Sequence, residues 1–161
     1  FADPEDVTHE IRTSSATERR FRIPGGLRLG KKEGPSDFPI EATSSPLPDN
    51  ATLLAFSPHM HLRGKSFNYE LVTPDKQRRM LLNVPDYDFN WQTTYVLDKP
   101  LEVPAGSRLH CKAVYDNSWG NLSNPDAMRD VRFGEQTWDE MMIGFFHCSV
   151  PVTLTNDTNI E

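Results

Sequence analysis

Along this chain apolar residues alternate with polar ones far more often than they recur at a helical spacing, so the elements predicted are strands. Residues 5–20 are polar and charged, with Val7 and Ile11 the only large aliphatics, and read as an extended lead-in. Phe21-Arg22-Ile23 is a short alternating strand stopped by Pro24-Gly25-Gly26. Residues 27–37 are loop-like, with Gly30, Gly34 and Pro35. Phe38 to Thr43 reads as an edge strand, because Pro39 has no amide to give to a ladder. After a turn at Pro46–Asn50 the signals become regular. Strands are expected at Ala51–Ser57, Ser66–Thr73, Arg79–Val84 (a hairpin partner across Pro74-Asp75), Trp91–Leu97, Arg108–Tyr115 and Met141–Val150. Val152-Thr153-Leu154 is a further short candidate. Two polar stretches, 116–130 and 134–139, interrupt the series. Strands at this density predict an all-β chain, an antiparallel β-sandwich of jelly-roll type with little helix. The expected organisation is a lead-in from a preceding domain over 1–20, the sandwich over 21–155 and a tail over 156–161.

Composition sharpens that picture. The 161 residues suit one domain, and 13 prolines with 9 glycines disfavour a helical bundle. Asp plus Glu at 23 against Lys plus Arg at 17 leaves a net charge of −6, which argues against a nucleic-acid partner. No stretch approaches the about 20 apolar residues of a membrane span. The 2 cysteines form no CxxC. Phe1-Ala2-Asp3-Pro4 has no initiator Met and no signal-like character, so the chain is expected to be a piece of a longer protein, with any targeting signal outside it.

The sharpest local feature is His59-Met60-His61. On a strand, residues i and i+2 share a face, so two imidazoles would stand side by side with Met60 behind them. Such a pair begins a zinc, copper or iron site, or is simply two surface histidines. Met141 and Met142 open an apolar strand, and core packing is the ordinary reading for Met142 and for Met80. Only beside the imidazoles does a thioether gain meaning. A His-His-Met set selects a soft, redox-active ion, with copper the natural choice.

Taken together, several segments resemble the C-terminal half of the copper type II, ascorbate-dependent monooxygenases, the family of the peptidylglycine α-hydroxylating and dopamine β-monooxygenases. These are His59-x-His61 followed by Gly64, Tyr87 with Gln92, Pro104-Ala105-Gly106-x-x-Leu109, Cys111 through Asn117, and Glu140-Met141, in the family's order over residues 50–150. The fuller wording around His59, Tyr87 and Asp139 looks most like bacterial members, in which this domain ends a larger protein. The resemblance implies one copper ion held by His59, His61 and Met141, with Met141 rather than Met142 following the Asp139-Glu140 pair. It implies hydroxylation of a C–H bond of a small-molecule substrate with dioxygen. It also implies a preceding domain, absent from this chain, that carries a second copper or other redox centre and takes electrons from ascorbate or another donor. An extracytoplasmic, periplasmic or secreted location follows from the same resemblance. The alternatives are a copper-binding or interaction module without catalysis, and a zinc or structural site at the two histidines.

Three departures qualify this. Where peptide-amidating relatives grip a substrate carboxylate, this chain has Ser57, Ile143 and Phe145, so peptide amidation is not expected and the surface would be apolar if those residues face the metal. The family's partner for the Cys111 position is Met142 here; Cys111 is therefore expected to be a buried free thiol, a bond to Cys148 requiring a different register. Finally, His9, His110 and His147 match nothing of the preceding domain, so the chain alone is not expected to turn over. His110 and His147 read as partly buried structural residues and His9 as solvated. Asn50, Asn121 and Asn156 begin glycosylation sequons without meaning in a bacterial protein, Asn117, Asn121, Asn124 and Asp126 read as turn formers, and Trp91, Trp119 and Trp138 as packing. Gln136-Thr137 is expected to supply turn hydrogen bonds, and Arg63 and Lys65 to lie in a solvated turn.

Overall fold

A computed structural model describes residue 3 and residues 6–152. Alternation along the strands becomes two-sidedness. In the strand Met142–Pro151 every second residue from Met142 to Val150 is buried, and in Arg108–Tyr115 the inward set is Leu109, Cys111, Ala113 and Tyr115. The strands in chain order are β1 (His9–Glu18), β2 (Arg22–Ile23), β3 (Phe38–Thr43), β4 (Thr52–His59), β5 (Gly64–Val72), β6 (Arg78–Val84), β7 (Tyr95–Glu102), β8 (Arg108–Tyr115), β9 (Val131–Arg132) and β10 (Met142–Pro151). They build two four-stranded antiparallel sheets, in the orders β1-β10-β4-β7 and β3-β8-β5-β6, with a small β2-β9 ribbon beside them. The fold is an all-β sandwich, as expected, with helix confined to α1 (Gly26–Leu29) among the described residues. No helix of the described residues is long and apolar enough to cross a membrane.

The inner faces make the core. Phe56 from the first sheet meets Tyr69 from the second at 4.9 Å between ring centroids, and Phe67 lies 5.1 Å from Tyr69. The Tyr69 hydroxyl donates across the core to the Phe145 carbonyl at 3.0 Å. Gly144 lets the sheets approach, since a Cβ there would sit 2.6 Å from the Cys111 sulfur. Cys111 and Cys148 are both buried free thiols.

β3, β8 and the β5–β6 hairpin lie where the residue pattern puts them, and β3 is indeed an edge strand. Other expectations shift. The polar stretch read as a lead-in carries β1, which pairs with β10 over its whole length. The strand expected at Trp91–Leu97 begins at Tyr95 and runs to Glu102. It passes through Pro100, which an outer strand tolerates. Met80, read as core, is 49% exposed because β6 is an edge. Trp91, Trp119 and Trp138, read as packing, are all more than half exposed. α1 spans the end of the expected Pro24-Gly25-Gly26 turn and the start of the expected 27–37 loop, and β9 lies in the stretch between the expected strands. Val152 lies outside any strand, while Thr153, Leu154 and the expected tail fall outside the described residues.

Candidate metal centre

β4 ends at His59, and the chain then turns through Leu62 and Arg63 into β5. Met60 is fully buried, and its backbone is gripped by Tyr87, whose hydroxyl accepts from the Met60 amide at 3.0 Å and donates to its carbonyl at 2.8 Å. With Met60 turned inward, His59 and His61 come together, their ring centroids 5.2 Å apart. The i, i+2 pairing therefore holds although the regular strand stops at His59.

Each imidazole has one nitrogen spoken for. His59 Nδ1 lies 2.6 Å from Gln92 Oε1, and Gln92 Nε2 donates to the Phe89 carbonyl at 3.0 Å. That second bond fixes the amide's orientation, so Oε1 must accept and His59 Nδ1 must donate. His61 Nδ1 lies 3.3 Å from the Asp139 carbonyl, which can only accept. Both neutral rings are thus held as Nδ1–H tautomers, leaving each Nε2 lone pair available. Burial pushes the His61 pKa below its ordinary value, against the backbone carbonyls of Asp139 and Gln136, which pull it up.

Met141 immediately precedes β10. The β4–β10 register pairs His59 with Ile143 and Ser57 with Phe145; extended one step, it sets Met141 opposite His61. Met142 faces the core and is fully buried, whereas Met141 has the parity of Ile143 and Phe145 on the outer face, the face of His59. The Tyr115 hydroxyl donates to the Met141 carbonyl at 2.7 Å. Among the described residues no three His, Cys, Asp or Glu side chains are placed to hold a metal. Two imidazoles and a thioether on one face are the kind of donors that suit a soft ion such as copper(I).

Two aromatic rings flank the pair. The Phe145 ring lies 6.5 Å from His59, and Phe89 meets the His61 ring edge-on at 6.0 Å. Ser57 and Thr94 hydroxyls satisfy each other at 2.9 Å.

Behind the histidine run lie two buried ionisable residues, Glu140 and Arg63. Glu140 is fully buried; Oε2 accepts from the His61 amide at 2.8 Å and Oε1 from the Arg63 amide at 2.7 Å. Burial pushes its pKa up to about 7, opposed by those two amides and by the Arg63 charge. Arg63, expected in a solvated turn, is 2% exposed: Nε donates to Asn117 Oδ1 and Nη1 to the Trp138 carbonyl, both at 2.9 Å. Asn117, read as a turn former, is buried and bridges to the Pro24 and Arg129 carbonyls. Lys65 is exposed and pairs with Asp37 at 2.7 Å. The Gln136 carbonyl accepts from the Asp139 amide at 2.9 Å, the turn bond expected there. The remaining histidines stand elsewhere: His110 on β8 bonds Thr43, His147 on β10 bonds Thr13, and His9 is exposed. The roles of Phe89, Gln92 and Glu140 were not assigned from the residue pattern, although Gln92 and Glu140 belong to the quoted segments.

The family model for the C-terminal domain of copper type II ascorbate-dependent monooxygenases matches residues 38–155. The match takes in β3 through β10, and with them His59, His61 and Met141. No curated protein matches the chain.

Proposed function

The chain belongs to the copper type II ascorbate-dependent monooxygenase family, as its C-terminal domain, and on that premise we propose that it is the oxygen-activating half of a copper monooxygenase. His59 and His61, through Nε2, and Met141, through its thioether, would hold one copper ion. The observation that carries this is the locking of both imidazoles as Nδ1–H tautomers, on the face to which Met141 also belongs. Copper bound there supplies one-electron chemistry with dioxygen for the hydroxylation of a C–H bond. The chain's own residues orient the two rings through Gln92 and the Asp139 carbonyl, and Tyr87 keeps the intervening Met60 turned into the core.

The substrate approaching this face meets Phe145, Phe89 and Ile143, with Ser57 already bonded to Thr94. Ser57, Ile143 and Phe145 stand where the peptide-amidating relatives grip a carboxylate, which supports a small neutral or apolar substrate. The family is ascorbate-dependent, so electrons are proposed to arrive through a preceding domain of the same polypeptide, outside the cytoplasm, and this chain alone would not turn over. The replaced clamp also supports a second reading, a copper-binding module without catalysis.

Copper(I) titration with X-ray absorption tests the site. One ion per chain is expected, with a sulfur neighbour that disappears in Met141→Ala and binding abolished in His59→Ala. No copper(I) binding, or binding indifferent to Met141, would sink the assignment.

A further inference from the structure

The run from Met60 to Arg63 is held at every residue by groups from other parts of the chain. Tyr87 grips Met60, Asn121 Nδ2 donates to the Leu62 carbonyl at 3.1 Å, and the Asp116 backbone amide donates to the Arg63 carbonyl at 2.8 Å. Glu140 takes the two amides between them, those of His61 and Arg63. Its own backbone is fixed in turn, the amide donating to the Arg132 carbonyl and the carbonyl accepting from Gly134, both at 3.1 Å. Glu140 also directly precedes Met141. One side chain therefore ties the histidine run to the methionine run.

Only a carboxylate of this length fits the task. Each oxygen receives one amide hydrogen, so a carboxamide would turn an NH2 group toward an N–H, and an aspartate would fall one methylene short. A buried charge is expensive to keep, and Arg63 offsets it from the same buried network. A residue kept for packing alone would be apolar here.

We propose that Glu140 is a positioning residue that sets the His61 imidazole against the Met141 thioether and so fixes the spacing of the donor set. This rests on the copper reading above. Copper(I) affinity, by competition with a chromophoric chelator, and X-ray absorption are measured for wild type, Met141→Ala, Glu140→Gln and Glu140→Asp. Leu109→Ala, a core change on the opposite sheet, serves as a destabilised control. The Glu140 variants are expected to weaken copper(I) binding about tenfold or more and to lose sulfur from the metal's neighbours, while the control stays within about twofold of wild type. Glu140→Asp keeps the charge beside Arg63 and carries the test if Glu140→Gln does not fold. Wild-type affinity and sulfur signal in a folded Glu140 variant would overturn the proposal, as would an equal loss in the control or failure of both Glu140 variants to fold. Those outcomes leave the copper assignment standing. A wild type that does not bind copper(I), or a Met141→Ala variant whose copper(I) site is unchanged, overturns that assignment and this inference together.

Discussion

Gln92 shows how one side chain can decide the chemistry of another. Its Nε2 is committed to the Phe89 carbonyl, so its oxygen faces His59 and holds the proton on Nδ1. In Gln92→Ala that acceptor is gone, and the ring is free to move its proton to Nε2. Long-range proton–nitrogen NMR spectra of the metal-free protein should show a single Nδ1–H tautomer for His59 in wild type and a mixture in the variant. Copper(I) affinity should fall about 10- to 100-fold, the usual cost of losing such an outer partner. An unchanged tautomer would show that Gln92 does not orient the ring. The histidine pair itself was legible because its signal is local: two residues apart on an extended chain share a face. Arg63 was not. It looks like a solvated turn until Asn117, 54 positions away, and Glu140, 77 positions away, are brought against it. Burial created by contacts so distant along the chain has no local signature.

Among the elements, β10 carries the clearest division of labour. Its even-numbered residues from Met142 to Val150 fill the core, and its odd-numbered residues Ile143 and Phe145 sit on the face of His59. Gly144 is the tight point: a methyl there would meet the Cys111 sulfur at 2.6 Å and the Tyr69 ring at 3.1 Å. Gly144→Ala should therefore cost about 1–3 kcal/mol by overpacking. In a Cys111→Ala background the sulfur is gone and part of that cost should vanish. Urea unfolding of the four proteins closes the cycle, and a coupling below about 0.5 kcal/mol would show that the sheets absorb the methyl by moving. β8 and β10 were readable because they alternate on a half-buried surface. β7 was misplaced because Trp91 and the residues after it resemble a strand, whereas the turn bond from the Trp91 amide to the Asp88 carbonyl delays the strand to Tyr95. Met80 was misjudged for a related reason, since hydropathy does not reveal which strand will lie at an edge.

At the scale of the whole molecule, the first and last described strands close the first sheet. β1 pairs with β10 in ten register positions, from His9 with Pro151 to Glu18 with Met142. Its residues are mostly hydroxyl-bearing or charged, with Glu10, Arg12 and Glu18 among them, a composition that blunts an edge against aggregation. Residue by residue this polarity reads as an extended lead-in; the pairing shows what it covers. Removing residues 1–20 would turn β10 into the edge, with Ile143 and Phe145 on it and the candidate metal face beside it. The two buried thiols provide the readout. Burial raises the pKa of both Cys111 and Cys148, and Cys148 lies across from Arg12 of β1. In the full chain at pH 8 neither should react with a thiol reagent until the protein unfolds. In the truncated chain Cys148 should react first, at rates near those of the unfolded protein, and soluble monomer should be lost. A truncated chain that keeps both thiols protected would show that β1 rests on a sheet already stable without it, and that the sandwich's stability lies in β4, β10 and the sheet facing them.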